Sequence, residues 1–363
     1  MKQLAVLEQL YQTPRQCAEQ QQLIYLEGDV PGFLRKRWGR GFRYFDPEGK
    51  AVKSPEIKQR LADIEAPPAW KNVWLAPEDN FHVLARGNDV AGRTQYTYHP
   101  RWLDYRNRLK YYHLLTFSES LPRLRRRAYG QLNNPYKKTA PKETVLALMV
   151  MLLDKGALRI GSEYYYEQRE TVGLTTLLWE HVTLKGPRIE LCYLAKSGKE
   201  RCIRIQNKKL AGMLRALRTD SREQDRVFRY DDAQGQKQTL SGEQLNHYLN
   251  GFSAFAISAK DFRTWIGTLT AYRCMRKGVV SEDAPTLSEI ESRTAEVLGN
   301  TPAVARSSYI HSDLMALYKS GDFEDYYQKL TTSQRKAYFS KDEAELQELL
   351  LVLFEEKMAY LTQ

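Results

Sequence analysis

The chain has 363 residues, 42% hydrophobic and 27% charged, an ordinary balance for a globular protein and enough apolar material for two cores. Its 55 lysines and arginines against 44 acidic residues leave a formal charge of +11, which points to a polyanionic partner because such a field attracts phosphates and releases their counterions. The longest apolar run, Val145 to Leu153, is too short to span a bilayer, and Glu8, Gln9 and Gln12 interrupt any apolar export segment, so no membrane partner and a cytoplasmic location are expected.

Residues from about 30 to 100 are rich in glycine, aromatic and β-branched residues, with turn signals at Asp46-Pro47-Glu48-Gly49 and Pro67-Pro68. They predict a small β-containing domain over residues 1–100. Residues 101–138 then carry ten basic residues against Asp104 and Glu119, so most of the excess charge lies in one segment. Helical spacing dominates the rest: Val145, Leu148, Met149 and Leu152 share one face, as do Leu346, Leu349, Leu350 and Leu353. One hairpin near 189–205 interrupts the helices, its turn at Ala195-Lys-Ser-Gly-Lys. Ser258 and Asp261 resemble a capping box. Gly299 ends a helix over Leu287 to Leu298, and Thr301-Pro302 opens the next. The fold class expected is therefore α+β, a small mixed β domain followed by a larger, mainly helical domain over 101–363.

The four cysteines show no CxxC pair, and reduced thiols are expected. Cys192 and Cys202 face each other across the predicted hairpin, which in a reducing compartment implies packing rather than a bridge.

There is no GxxxxGK[ST], no HExxH and no EF-hand loop, so neither a nucleotide cofactor nor a metal is expected. A basic protein acting on a phosphodiester without a metal needs arginine and lysine to stabilise charge on phosphorus, and its own nucleophile. Arg159 in Leu158-Arg-Ile-Gly, Lys196 at the hairpin turn, Arg263 in Lys260-Asp-Phe-Arg and Tyr309 after Gly299-Asn-Thr-Pro are the candidates. Taken singly each is weak, since arginines near helix ends and lysines on turns are usually solvated, and Tyr309 is one tyrosine among 23.

Their order is more specific. An LRxG arginine followed by Thr171-Val-Gly-Leu-Thr-Thr-Leu, a hairpin lysine, a KDxR arginine, a G-N-T-P turn and a tyrosine resemble the catalytic domain of the poxvirus and bacterial type IB DNA topoisomerases. Gly39-Arg-Gly-Phe-Arg-Tyr, Ile64-Glu-Ala-Pro-Pro-Ala-Trp and Gly92-Arg-Thr-Gln-Tyr-Thr-Tyr-His-Pro extend the likeness into the first domain, so that roughly residues 35–315 match. The resemblance implies a C-shaped clamp around duplex DNA that acts as a monomer and relaxes supercoils through a transient 3′-phosphotyrosyl linkage. It implies Tyr309 as nucleophile, Arg159 and Arg263 on the nonbridging phosphate oxygens, and Lys196, alone or with Arg159, or Lys199 after a shift of the turn, as the acid for the departing 5′-oxygen. Many members place histidine where this chain has Asn300; bacterial ones resemble it in having asparagine, which hydrogen-bonds a phosphate without titrating near neutral pH. Arg93, Gln95, Tyr96 and Tyr98 resemble a DNA-contacting strand, with alternation putting Gln95 opposite the two tyrosines, and Lys260, at a helix N-terminus beside Arg263, is a candidate for a further backbone contact. A nucleoid-associated bacterial enzyme is the resulting expectation. The alternatives are a tyrosine recombinase, which normally carries HxxR in place of Lys260-Asp-Phe-Arg, a non-catalytic duplex DNA-binding protein and, more remotely, an RNA-processing enzyme.

Overall fold

The aromatic and β-branched residues between Phe33 and Tyr98 build one antiparallel sheet. In the computed structural model, which describes residues 2–133, 140–196, 198–219, 221–281, 283–330 and 337–361, the chain divides into two compact units, Met1–His113 and Leu114–Gln363. The first unit opens with α1 (Lys2–Gln12) and α2 (Pro14–Gln20), in the thirty residues whose role the sequence leaves open. It continues with β1 (Phe33–Trp38), β2 (Gly41–Phe45), α3 (Pro55–Asp63), β3 (Lys71–Leu75), β4 (Val83–Asn88) and β5 (Thr94–Tyr98). The strand order is β2-β1-β3-β4-β5. Because successive side chains alternate, β3 sends Val73 and Leu75 to a cluster with Leu61 and Ala85, and Trp74 to a second cluster with Phe81 and Val83. A core cluster thus lies on each face of the central strands β3 and β4. Buried Glu8 of α1 pairs with buried His113 at 2.8 Å, and Tyr11 stacks on the same ring with centroids 4.6 Å apart.

Helix α4 (Pro100–Gln131) begins in the first unit and ends in the second, so the division falls inside it. Of the basic stretch 101–138, Lys137 and Lys138 lie outside the described residues.

The second unit is built around α5 (Lys142–Gly156). The spacing of its leucines and valines predicts one apolar face, but every residue from Thr144 to Asp154 is buried. A helix apolar all round is a central helix with neighbours on every side. After α6 (Glu163–Arg169) come β6 (Val182–Lys185), β7 (Arg188–Ala195) and β8 (Lys199–Gln206), a three-stranded sheet in which the predicted hairpin gains a partner on its β7 edge. Following α7 (Lys208–Arg218), a second ribbon of β9 (Arg229–Asp231) and β10 (Lys237–Thr239) corrects the expectation of a single hairpin; its strands are too short and polar for a period of two to register. Helices α8 (Gly242–Asn250), α9 (Ala259–Ser281), α10 (Leu287–Leu298), α11 (Pro302–Tyr309), α12 (Ser312–Ser320), α13 (Phe323–Gln328) and α14 (Lys341–Leu361) complete the unit. No helix among the described residues is long and apolar enough to cross a membrane.

The cysteine expectation is overturned at one pair. Cys192 and Cys202 stand directly opposite in the β7–β8 register, Cα atoms 4.1 Å apart, and are joined by a disulfide on the exposed face of the hairpin. That face places two thiols side by side with no packing to separate them. Cys17 and Cys274 are free.

Behind α9 the core holds a charged network. Arg125 of α4 donates through Nη2 to Asp154 Oδ1 at 2.6 Å and to Glu343 Oε1 at 2.7 Å, and all three side chains are buried. Burial alone would lower the guanidinium, but the two carboxylates outweigh it and hold Arg125 above its ordinary range. Burial alone would raise Glu343; hydrogen bonding to Arg125 reverses this and holds the carboxyl down to about 2.

Candidate active site

Three segments of the second unit converge on Tyr309. The first follows α5, which closes at Ala157 in the left-handed conformation (φ 47°, ψ 39°). Arg159 comes two residues later, where its carbonyl accepts from Leu174 N at 2.8 Å and that of Ile160 accepts from Thr175 N at 2.7 Å. The two sequence runs around Arg159 and Gly173 are therefore one structure, laced together so that the guanidinium has a fixed root.

The second segment is the start of α9. Asp261 accepts from Ser258 N at 2.7 Å and from Ser258 Oγ at 3.0 Å, which secures the helix start one turn before Arg263. Arg263 is only 2% exposed. Its Nη1 donates to the Ala157 carbonyl, and its Nη2 to Leu298 O at 2.9 Å and Asn300 Oδ1 at 3.3 Å.

The third segment is the turn from α10 to α11. Gly299 takes φ 61° and ψ 49°, which lets Asn300 N return to Ala295 O at 2.9 Å. Thr301 caps α11 by accepting from Val304 N, with Pro302 at the first turn. Tyr309 ends that helix, and its carbonyl accepts from Thr268 Oγ1 of α9 at 3.1 Å. Gly267 makes the approach possible, since a Cβ there would stand 2.7 Å from Tyr309 O.

Arginine only donates hydrogen bonds, so Asn300 must turn its oxygen toward the two guanidiniums; Arg159 Nη2 donates to the same Oδ1 as Arg263. Asn300 Nδ2 is thereby left buried with no acceptor among the described residues, as is Arg263 Nε. Buried donors without acceptors are costly, so these two are open to a partner from outside the described residues. The Arg263 guanidinium lies 4.9 Å from the centroid of the Tyr309 ring. Burial alone would raise the Tyr309 phenol, but Arg263 foremost, then Arg159 and Lys260, outweigh it and bring the group below its ordinary value. Arg159 is itself lowered, by burial first and then by repulsion from Arg263. The arrangement thus concentrates positive charge and unpaired donors around a tyrosine whose phenol is lowered from its ordinary value.

The other predicted residues are less closely gathered. Lys196 is exposed at the hairpin tip and Lys199 opens β8 opposite Ala195; neither makes a hydrogen bond or ion pair to the cluster among the described residues. Lys260 is exposed in the first turn of α9. In the first unit, Arg93 precedes β5 and grips Asp89 through Nε at 2.8 Å and Nη2 at 2.6 Å, while Gln95 reaches the same carboxylate at 3.2 Å. Hydrogen bonding to Arg93 holds Asp89 down to about 2. Tyr96 and Tyr98 lie on one face with rings 5.8 Å apart; Tyr96 is exposed and Tyr98 packs partly against the core.

Residues 100–336 match the family model described as eukaryotic DNA topoisomerase I, catalytic core, and residues 41–89 that described as bacterial DNA topoisomerase IB, N-terminal domain. The chain belongs to the type IB DNA topoisomerases. The topoisomerase is 26% identical over 302 residues to a DNA topoisomerase 1B of Acanthamoeba polyphaga mimivirus, covering 80% of this chain and 88% of the relative. It is 24% identical over 294 residues to the DNA topoisomerase 1B of vaccinia virus (strain Copenhagen), covering 79% and 87%. DNA is accordingly its substrate and relaxation its activity, and the bacterial N-terminal match suggests a bacterial member.

One residue packed beside this candidate site escapes sequence reading. Arg201 of β8 is buried and donates through Nη2 to Gly156 O at 3.2 Å, Ala157 O at 3.3 Å and Val297 O at 3.2 Å, the same helix ends that Arg263 touches. A signal existed: Arg201, Ile203 and Ile205 alternate along one strand, and a charge in line with two isoleucines points inward.

Proposed function

We propose that the topoisomerase relaxes DNA by attack of Tyr309 on a backbone phosphate, giving a 3′-phosphotyrosyl linkage and a free 5′-hydroxyl. The observation that carries this reading is the shared Asn300 oxygen: Arg159 and Arg263 both donate to it, leaving buried donors on Asn300 and Arg263 without acceptors among the described residues, close to a tyrosine whose phenol is lowered by the same cations. Arg159 and Arg263 clamp the nonbridging oxygens of the scissile phosphate, where planar guanidinium fits better than ammonium. Asn300 Nδ2 adds an uncharged hydrogen bond as negative charge grows in the transition state. Tyr309 gives up its phenolic proton to solvent, the P–O5′ bond breaks as the Tyr Oη–P bond forms, and Lys196, or Lys199 across the same turn, protonates the departing oxygen. One phosphodiester replaces another, so reversal by the 5′-hydroxyl reseals the strand with no input from ATP and no obligatory metal.

In the first unit, Tyr96, Tyr98 and Gln95 contact the duplex, with Arg93 released from Asp89 or holding that carboxylate away from phosphate, and Lys260 adds a backbone contact. The enzyme acts as a monomer on nucleoid DNA.

The test is incubation with positively and negatively supercoiled plasmid in EDTA without ATP, followed by denaturation to trap protein linked to DNA. Wild type relaxes both signs and forms the adduct. A folded Tyr309→Phe variant that still forms it would sink the assignment.

A further inference from the structure

Arg201 is buried without a counter-charge: among the described residues no carboxylate lies within ion-pair distance, and its Nη1 has no acceptor at all. Bare burial of a guanidinium is unfavourable, so its surroundings must offset the cost or a ligand must. Part of the offset comes from two helix C termini, whose last carbonyls lack partners within the helix and carry the negative end of the helix dipole. At the end of α10 these carbonyls are fully accounted for. Ala295 O accepts from Asn300 N and Glu296 O from Gly299 N, whereas Val297 O takes Arg201 and Leu298 O takes Arg263. At the end of α5, Gly156 O takes Arg201, and Ala157 O takes both arginines. The Arg201 stem also lies flat on Gly299, where a Cβ would stand 2.9 Å from its Cδ.

These bonds join the two chain ends that matter most. Arg159 follows Ala157 by two residues, and Asn300 follows Val297 by three. The geometry points to Arg201 as a positioning residue for strand cleavage: it lashes the ends of α5 and α10 together so that Arg159 and Asn300 meet, and its uncompensated charge adds to the field at the scissile phosphate and Tyr309. The groups that face it are Tyr193 on β7, Arg263 on α9, Arg159 after α5 and Tyr309 on α11. Burial first, and then Arg263 and Arg159, bring it down to about 10, so it remains charged at neutral pH beside two like charges. An incoming phosphate relieves that repulsion, and an uncharged replacement forfeits the gain.

This inference rests on Tyr309 being the nucleophile, and the experiment keeps the two apart. Single-turnover cleavage of a duplex whose short cleaved strand cannot religate is measured across pH for wild type, Arg201→Met, Arg201→Lys and Tyr309→Phe, together with DNA affinity and circular dichroism. The folded Met variant binds DNA nearly as wild type does and cleaves roughly 10- to 100-fold more slowly near neutrality. Its acidic limb moves to higher pH, because loss of a neighbouring cation raises the phenol, so the deficit shrinks in alkali. The Lys variant recovers the wild-type limb through its charge but only part of the rate, since ammonium cannot span three carbonyls. A Met variant with wild-type rate and profile overturns the inference. So does a loss uniform in pH and equal for Lys and Met, or failure of both to fold, either of which leaves Arg201 a packing role alone. Adduct formation by Tyr309→Phe strikes the underlying reading instead.

Discussion

Two groups of buried arginine in the helical unit are held in opposite ways. Arg125 sits between Asp154 and Glu343, each within 2.7 Å, and its charge is neutralised inside the protein. Arg263 and Arg201 are as deeply buried, yet they and Arg159 bind carbonyls and an amide oxygen, and among the described residues none has a carboxylate partner. Carbonyls satisfy hydrogen bonds but leave the net charge in place. The first arrangement holds a fold together; the second leaves positive potential unneutralised, as the proposed clamp on a substrate phosphate requires.

Substitution can break that contrast. Arg125→Met leaves two buried carboxylates facing each other and is expected to cost about 3–5 kcal/mol of stability, lowering the melting temperature by roughly 6–10 °C, with the cleavage rate of the folded protein unchanged. A large loss of cleavage rate at a temperature where the variant is folded would show that Arg125 belongs with the functional set. Arg263→Ala should do the reverse, slowing strand cleavage by roughly 100- to 1000-fold, as expected for removal of a preorganised donor. Its pH–rate profile should also move to higher pH, because Arg263 is the foremost cation lowering Tyr309.

Acid sharpens the same contrast. The folded Glu343 carboxyl lies near 2, below its unfolded value, so its stabilising contribution is complete above about pH 4.5 and is lost as pH falls through 2. The depression corresponds to roughly 3 kcal/mol at most. Denaturant melts of wild type and Glu343→Gln should therefore diverge above pH 4.5 and converge toward pH 2; parallel curves would refute the linkage. The smallest effect is expected at Asn300→Ala, about tenfold in cleavage, because it removes one uncharged hydrogen bond to phosphate. Asn300→His, with a side chain able to carry charge, should restore rate below its own titration and lose it above, measured by the same single-turnover assay.

Sequence and tertiary structure divided the work along physical lines. Local rules were legible: Gly299 as a left-handed cap, Thr301-Pro302 as a helix start and the Ser258–Asp261 bond all depend on residues within one turn of each other, and the chain order of Arg159, Lys196, Arg263, Asn300 and Tyr309 carried the family. Three-dimensional packing decided the rest. Periodicity cannot say that α5 is buried on every side, because that depends on how many neighbours surround it. Nor can it say that Asn300 Oδ1 lies between guanidiniums rooted 141 and 37 residues away in sequence. Arg125, Arg201 and Arg263 are the same residue type in the sequence, and nothing local to each says what its guanidinium will meet. Whether such a charge is neutralised by carboxylates or held on carbonyls and an amide oxygen is set by which groups the fold brings within hydrogen-bonding distance, and that is a property of the tertiary structure alone.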